Sequence, residues 1–441
     1  MRYIREETHD VVVCGSGPAG LGAAMAAKKC GAKVMLLEAG ALVGGTLCAV
    51  PWMAVNRLLL RNGSRSEVHA ALVRHILKYG DIAAYPTKPD KINGDGYNCT
   101  VEYTEAAVYD MLEEAEVPLR MFSPVTGILR EGDKITGVTV REKQGIAAYH
   151  AKVVVDATGD GDVAAAAGCE FESGREEDGI HMPITLGFAV GGIDTDAFFT
   201  WFHQGGKQGV GTAGEPGTFV AMMDDAYMKG YYVAAWYGLC RATMPGVIGV
   251  NNGAWRGQKL TTNGLDSADM TAARRNGVRV ALDFIKILKD YAVPGAENAY
   301  IQKLGALLGV RDTRRIIGAY VQTLEDAQEG SEFPDVIARK YGWIDANQIY
   351  IGPMKSGYAY PYRSLIPNGA EYMLVTGRCA SATFMGHSAG KSMGNMMELG
   401  IAAGCAAAMS VQAGVPPRAL DVSALQKCLC ETLKLRILEY V

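Results

Sequence analysis

Asp10-Val-Val-Val-Cys-Gly-Ser-Gly-Pro-Ala-Gly20 is the stretch that decides the fold, together with the alanine-rich run Leu21 to Cys30, Gly31, and the apolar Lys33 to Leu37 closing on Glu38. A short, continuous apolar run predicts a central parallel strand, buried on both faces. It turns into a helix, and the helix returns to a second strand, completing a βαβ unit. Gly15 permits the tight turn, Gly17 lets backbone approach a pyrophosphate, and Gly20 lets helix and strand come close. Pro18 and Ala19 lie in the same turn, where the helix N-terminus offers unpaired N–H groups and partial positive charge to a diphosphate. Glu38, with Ala39 behind it, is placed to accept hydrogen bonds from a ribose diol. A lone GxGxxG says little. Here strand, turn, helix, strand and terminal acid arrive in order. The acid argues against a 2′-phosphate at that ribose, which leaves FAD or NAD.

The chain has 441 residues, 49% hydrophobic and 20% charged, a globular composition long enough for two or three domains. Lys and Arg number 43 against 47 acids, so no basic field exists to hold nucleic acid. Glycine stands at 54 residues, well above the typical ~7%, pointing to tight βα turns and close backbone approaches. None of the ten cysteines forms a CxxC, and scattered acids supply no spaced ligand set, so no metal site is expected. The charged N-terminus lacks a secretory h-region, and Leu399 to Val415 reads as a buried helix rather than a span. A cytoplasmic protein without membrane partners is the expectation.

Three later features favour FAD over NAD: Gly44-Gly45-Thr46 soon after Glu38; the strand Lys152 to Asp156 ending in Ala157-Thr158-Gly159-Asp160-Gly161-Asp162; and the strand Tyr372 to Thr376 ending at Gly377-Arg378, with a long helical stretch from Gly394. These residues, with Leu308-Gly-Val-Arg-Asp-Thr-Arg-Arg315 and the run Tyr360 to Gly404, resemble the two-dinucleotide-binding-domain flavoproteins. More closely, they resemble the FAD-dependent oxidoreductase family related to fumarate reductase and succinate dehydrogenase flavoproteins. The resemblance covers most of the chain. It implies an α/β fold: a Rossmann-like FAD-binding domain with a parallel sheet, built from residues 1–175 and 348–441, and an inserted α+β substrate or cap domain at 176–347. It implies FAD contacts at Gly45, Thr46 and Leu47, at Ala157, Thr158, Gly159 and Asp162, and at Gly377 and Arg378. The backbone of Gly394, Asn395 and Met396 is expected to face the flavin pyrimidine ring. Val125 to Arg130 and Lys134 to Arg141, joined by a Gly132-Asp133 turn, are the expected small sheet beside the adenine, with Val125 an adenine contact. A homodimer is expected by analogy with the class.

Chemistry is expected where the resemblance places the flavin ring. Cys48, in Gly45 to Trp52, has no partner cysteine at redox spacing; it is either a buried thiol beside the ring or a reactive one. His387 is either a proton donor and acceptor or a satisfied structural histidine. Relatives often carry histidine where Phe384 stands and arginine where Lys391 stands, and Asp345-Ala-Asn347 replaces a motif ending in histidine. Arg311, Arg314 and Arg315 follow an apolar stretch read as helical and cannot share one helical face. Arg311 or Arg314 is the candidate anion holder or acid, against salt bridges to Asp312, Glu325 or Asp326. The aromatic cluster Tyr231, Tyr232, Trp236 and Tyr237 is core, subunit contact or pocket wall. The expectation is a flavin-dependent enzyme exchanging hydride with a small organic molecule; an electron-transferring flavin subunit and a tRNA-modifying flavoprotein are the rivals.

Overall fold

In the computed structural model, the structure describes residues 2–51, 58–60, 63–79, 84–85, 98–203, 210–212, 218–346, 349–353 and 357–437. Trp52 and Asn347 lie outside them. The opening unit forms as the sequence predicts: strand β1 (Glu6–Cys14), helix α1 (Pro18–Lys29) and strand β2 (Val34–Leu37). Next come β3 (Leu119–Arg120), the hairpin β4 (Val125–Glu131) and β5 (Lys134–Glu142), and the long β6 (Gly145–Asp156). They form one sheet in the order β3-β2-β1-β6-β5-β4. β6 pairs parallel with β1 along its length, and its first half pairs antiparallel with β5. The expected small sheet is therefore continuous with the main one, because a single strand serves both.

Side chains alternate across this sheet. Val11, Val13, Val34, Leu36, Val153 and Val155 face one apolar layer; Val12, Cys14, Met35, Leu37 and Val154 face the other. Both faces are buried, which is why these strands read as unbroken apolar runs.

The inserted region has its own five-stranded sheet and aromatic core. Phe188–Gly191 lies between Ile248–Asn252 and Tyr300–Leu304, antiparallel to each. Helix α2 (Ser267–Asp290) contributes Val280, Ala281, Phe284, Ile287 and Leu288 to that core. The sequence expects the FAD-side signals to resume near Tyr360, but the chain returns sooner. Arg314–Ile316 pairs with Phe171–Ser173, and Val336–Lys340 pairs with Tyr358–Pro361. The stretch before Arg311 is not helical either. Gly309 and Thr185 exchange backbone hydrogen bonds of 2.8 and 3.2 Å, and Gly305 donates to Gly187. Pairing with distant backbone overrides the local helical pattern.

Strand β7 (Met373–Val375) joins β6 in parallel and leads to helix α3 (Met393–Ala413) and then helix α4 (Val422–Glu431). Among the described residues α3 is one helix long and apolar enough to cross a membrane, yet 78% of its most apolar window is buried. A helix apolar all round is what a core position requires.

α1 and α3 touch backbone to backbone. A Cβ on Gly400 would stand 1.9 Å from the Ala19 carbonyl oxygen, one on Gly404 2.0 Å from that of Ala23, and one on Gly22 2.3 Å from that of Met397. Residues 19 and 23 thus match 400 and 404, so the helices run parallel with their N-termini at the same end. Gly400→Ala is expected to cost about 1–3 kcal/mol or more, because backbone cannot step aside as a side chain can. Denaturant melts would read the loss; a midpoint equal to wild type would mean that the two helices do not meet this way.

Candidate functional site

The site begins where β1 ends. Gly15 has φ +99, and a Cβ there would lie 2.5 Å from the Ala157 carbonyl oxygen; on Gly20 it would lie 1.7 Å from that of Gly15. Only glycine fits either position. Gly17 caps α1 without a side-chain bond, and a Cβ on it meets nothing within 4 Å. The first N–H groups of α1 have no partner inside the helix. Gly45 folds over Gly17, its φ +52 starting the single turn Thr46–Ala49, which holds Leu47 and Cys48 buried.

Glu38 ends β2 beside this turn. One carboxylate oxygen accepts from the Ser16 N–H (2.9 Å) and hydroxyl (2.6 Å), and the other from the Gly40 N–H (2.8 Å). Ser123 N–H donates to the Glu38 carbonyl at 2.9 Å, which brings the chain leading into Val125 alongside the acid. Asp156, fully buried at the end of β6, accepts from Thr158 N–H (3.0 Å) and hydroxyl (2.7 Å) and from Ala164 N–H (2.8 Å). It fixes the Ala157-Thr158-Gly159 turn against Gly15.

Ser392 caps the start of α3; its side chain makes no cap bond, and among the described residues its buried Oγ has no partner. The N–H groups of Met393, Gly394 and Asn395 have no partner inside the helix. The Asn395 side chain is committed elsewhere: it donates to Tyr341 and Gly390 carbonyls at 2.8 and 2.7 Å and accepts from Arg65 at 2.7 Å. Arg65 also pairs with Glu398, and His69 Nε2 lies 3.0 Å from the Gly394 carbonyl. These groups brace the helix start. Two uncapped helix N-termini at one end, an open glycine cradle and an orphaned hydroxyl fit a dinucleotide that carries a diphosphate and a ring with polar edges.

The predicted catalytic residues separate. Arg314 donates to the Asp160 carbonyl (3.0 Å) and Asp162 carboxylate (2.9 Å). Arg378 donates to Asp160 (2.6 Å) and the Thr313 hydroxyl (2.9 Å). Arg315 is buried on Ala382 and Gly174 carbonyls and on Glu176. None of these arginines uses Asp312, Glu325 or Asp326, the partners the sequence suggests; Asp312 instead holds His181 at 3.0 Å and Met182 N–H at 2.6 Å.

Arg311 turns the other way. It lies 5.9 Å over the Trp236 ring and 3.9 Å from Asp345. His387 Nε2 stands 2.9 Å from the Arg311 carbonyl, and since a carbonyl only accepts, that nitrogen carries the proton. Burial, then Lys391, holds His387 well below the usual histidine range, so the ring is neutral at pH 7. Lys391 donates to the Asp345 carbonyl at 2.6 Å and lies 3.0 Å from Met182 Sδ. Burial, then Arg311, pushes its ammonium down to about 7. Met182 and Trp236 also line a cavity within the inserted region, together with His181, Trp255 and Arg256.

Lys340 was not singled out by sequence, since a strand-end lysine ordinarily reads as solvated. It is 4% exposed, 4.4 Å from the Tyr360 ring centre and 5.9 Å from that of Tyr358. No carboxylate pairs with it among the described residues, and burial pushes it down to about 7. The segment before α3 thus gathers Arg311, Lys340 and Lys391 around a neutral histidine, with Asp345 the acid nearest Arg311.

Comparison with known proteins follows this geometry. A family model described as FAD dependent oxidoreductase matches residues 10–429. A curated relative, digeranylgeranylglycerophospholipid reductase 1 of Methanococcoides burtonii, is 25% identical over 208 residues, 46% of this chain and 49% of the relative. The match therefore spans about half of that relative's length. The fold is shared with a geranylgeranyl bacteriochlorophyll reductase-like protein of Thermoplasma acidophilum (TM-score 0.51, 14% identity, 97% of this chain and 84% of that one). It is shared equally with p-nitrophenol 4-monooxygenase of Pseudomonas putida (TM-score 0.51, 14% identity, 96% and 84%).

Lys340 gives a pH signature. Its pKa is depressed from 10.5 to about 7 on folding, so the unfolded chain binds the extra proton between those values and stability rises as pH increases through that window. Melting temperatures from pH 7 to 10 should climb, and Lys340→Met should flatten the climb while raising stability at pH 7. An unchanged slope in the variant would show that Lys340 is not buried as a free base.

Proposed function

The chain belongs to the FAD dependent oxidoreductase family, and we propose that it oxidises or reduces a small anionic organic molecule seated against Arg311 and Lys391. The observation that carries this reading is the excess of buried or half-buried cationic groups before α3, at the helix end that also offers free amides. In a site of low dielectric such groups lose hydration, and an anion restores what burial removes.

FAD, when bound, supplies hydride exchange at its N5 atom. In this proposal Gly15, Gly17, Pro18, Ala19 and Gly20 hold its diphosphate, and Glu38, Ala39 and Val125 its adenosine end. Gly45, Thr46, Leu47, Ala157, Thr158 and Gly159 line its course, with Gly377, Arg378 and Asp162 closing the turn. The amides at Gly394 and Asn395 would stabilise negative charge on the ring, whereas the Met396 N–H, expected to join them, is spent on the Ser392 carbonyl at 3.0 Å. Lys391 and Arg311 bind the substrate anion, and Lys391 can give or take a proton near pH 7. His387 positions the Arg311 loop through the carbonyl it holds. Cys48 sits as a buried thiol under the Gly44-Gly45 turn, where a Cβ on Gly44 would meet its sulfur at 2.7 Å. Arg314 braces the Asp160–Asp162 turn rather than touching substrate. The resemblance to fumarate reductase and succinate dehydrogenase flavoproteins supports a small carboxylate, whereas the curated relative's name denotes a phospholipid and supports only the negative charge. Both carry the anion.

The test is anaerobic bleaching of the flavin band, or its return after reduction, against matched acids, phosphates and neutral esters. Lys391→Met is expected to retain full FAD content and lose about 10–200-fold in kcat/KM for an acid, the kinetic equivalent of ~1.5–3 kcal/mol for a charge-assisted contact. Equal turnover of acid and ester by wild type would defeat the proposal.

A further inference from the structure

Three cysteines far apart in sequence meet at the other end of the α1–α3 pair. Cys30 caps the C-terminus of α1, Cys405 lies inside α3, and Cys428 lies in the last turn of α4. Cys30 Sγ is 3.7 Å from Cys405 Sγ and 3.8 Å from Cys428 Sγ, and all three sulfurs fall within 4.8 Å of one another. The Met409 thioether sulfur adds a fourth soft atom, 3.9 Å from Cys405 Sγ. From these contacts we propose that Cys30, Cys405 and Cys428 form a binding site for a thiophilic d10 cation, Zn²⁺ or Cu(I), separate from the flavin site.

The distances suit coordination. Zinc–sulfur bonds of ~2.3 Å in a tetrahedron put neighbouring sulfurs ~3.8 Å apart. Two of the separations therefore need no rearrangement. A disulfide requires ~2.05 Å, and these sulfurs are not bonded. Cys30 and Cys428 are half-buried while Cys405 is buried, so an ion has a route in and one fixed anchor. Cys405 rides on a helix locked to α1 by Gly400 and Gly404, which preorganises the set.

The surroundings also separate metal binding from thiol redox chemistry. Reactive cysteines sit at helix N-termini or beside cations that stabilise the thiolate. Cys30 and Cys428 sit instead at two helix C-termini, whose partial negative charge favours a cation. An arriving ion would displace the thiol protons and take the helix dipoles as part of its field. Sequence spacing hid the site, because its three ligands come from three helices and no two lie in a CxxC.

The test uses the full-length, FAD-loaded protein, reduced with a phosphine and stripped with a chelator. Cd²⁺ titration should give a thiolate-to-metal absorbance band saturating at one ion per chain, with release of protons. Zn²⁺ and Cu(I) should each compete for it, and each should raise the melting temperature. Cys30→Ser with Cys428→Ser should lower affinity by more than the ~100-fold that outer-sphere changes cost, with the flavin spectrum unchanged. Cys240→Ser, in the inserted sheet, should bind like wild type. The proposal is overturned if the double variant binds as wild type does, if no ion competes with a chromophoric chelator, or if the three thiols form a disulfide in air without measurable metal affinity.

Discussion

The arrangement rests on one contact: the backbones of α1 and α3 touch, with no side chain between them. Glycine at 22, 400 and 404 is the only residue that permits it. Because residue 19 lies against 400 and 23 against 404, both helices point the same way, and α3 starts earlier by several residues. At ~1.5 Å per residue its N-terminus projects one to two turns beyond that of α1. Two sets of unpaired amides thus sit at one end, displaced along a common direction. A dinucleotide needs that spacing, since its diphosphate and its ring are separated along its length.

The sheet serves this helix pair. β1 delivers the turn at Gly15, β6 delivers Asp156 and the Ala157 carbonyl that only glycine can approach, and β7 delivers the chain to α3. Each strand is buried on both sides, so its side chains carry stability while the C-terminal ends carry the site. The chemistry is therefore placed by backbone, and the side chains nearest it either brace the loops, as Asn395, Asp156 and Arg378 do, or touch residues that line the cavity, as Arg311 does at Trp236 and Lys391 at Met182.

The opening βαβ unit, the hairpin at Gly132-Asp133, α2 and the apolar α3 were legible in sequence because each follows from local pattern: apolar runs, period, and glycine at turns. The 305–313 segment was not, since its conformation is set by backbone pairing with Thr185 and Gly187, more than a hundred residues away. The roles of the arginines were half legible. Helical spacing predicted that 311, 314 and 315 diverge, but the segment is not helical; 314 and 315 diverge as neighbours in a strand, and only the fold shows that Asp160 and Asp162 claim Arg314 and that Glu176 claims Arg315. Lys340 was invisible, because burial of a strand-end lysine among tyrosines leaves no mark in the order of residues. Arg378, standing at a turn read as cofactor-binding, has its charge consumed by Asp160.

Lysine at position 391, where the sequence resemblance implies arginine, differs in more than geometry. A guanidinium stays charged at any physiological pH and holds a carboxylate by a planar fork. An ammonium held near 7 is charged only in part when the cavity is empty. An arriving anion draws the proton onto Lys391 and stabilises it there, so binding and protonation become one linked event. Departure of the anion, or loss of its charge, returns the lysine toward its neutral form. His387 cannot take this part, since its ring is held neutral and its proton is committed to the Arg311 carbonyl. In the proposed site the anchor and the proton carrier are therefore the same side chain, and affinity for an acid should fall above neutrality even though the acid itself is fully ionised there.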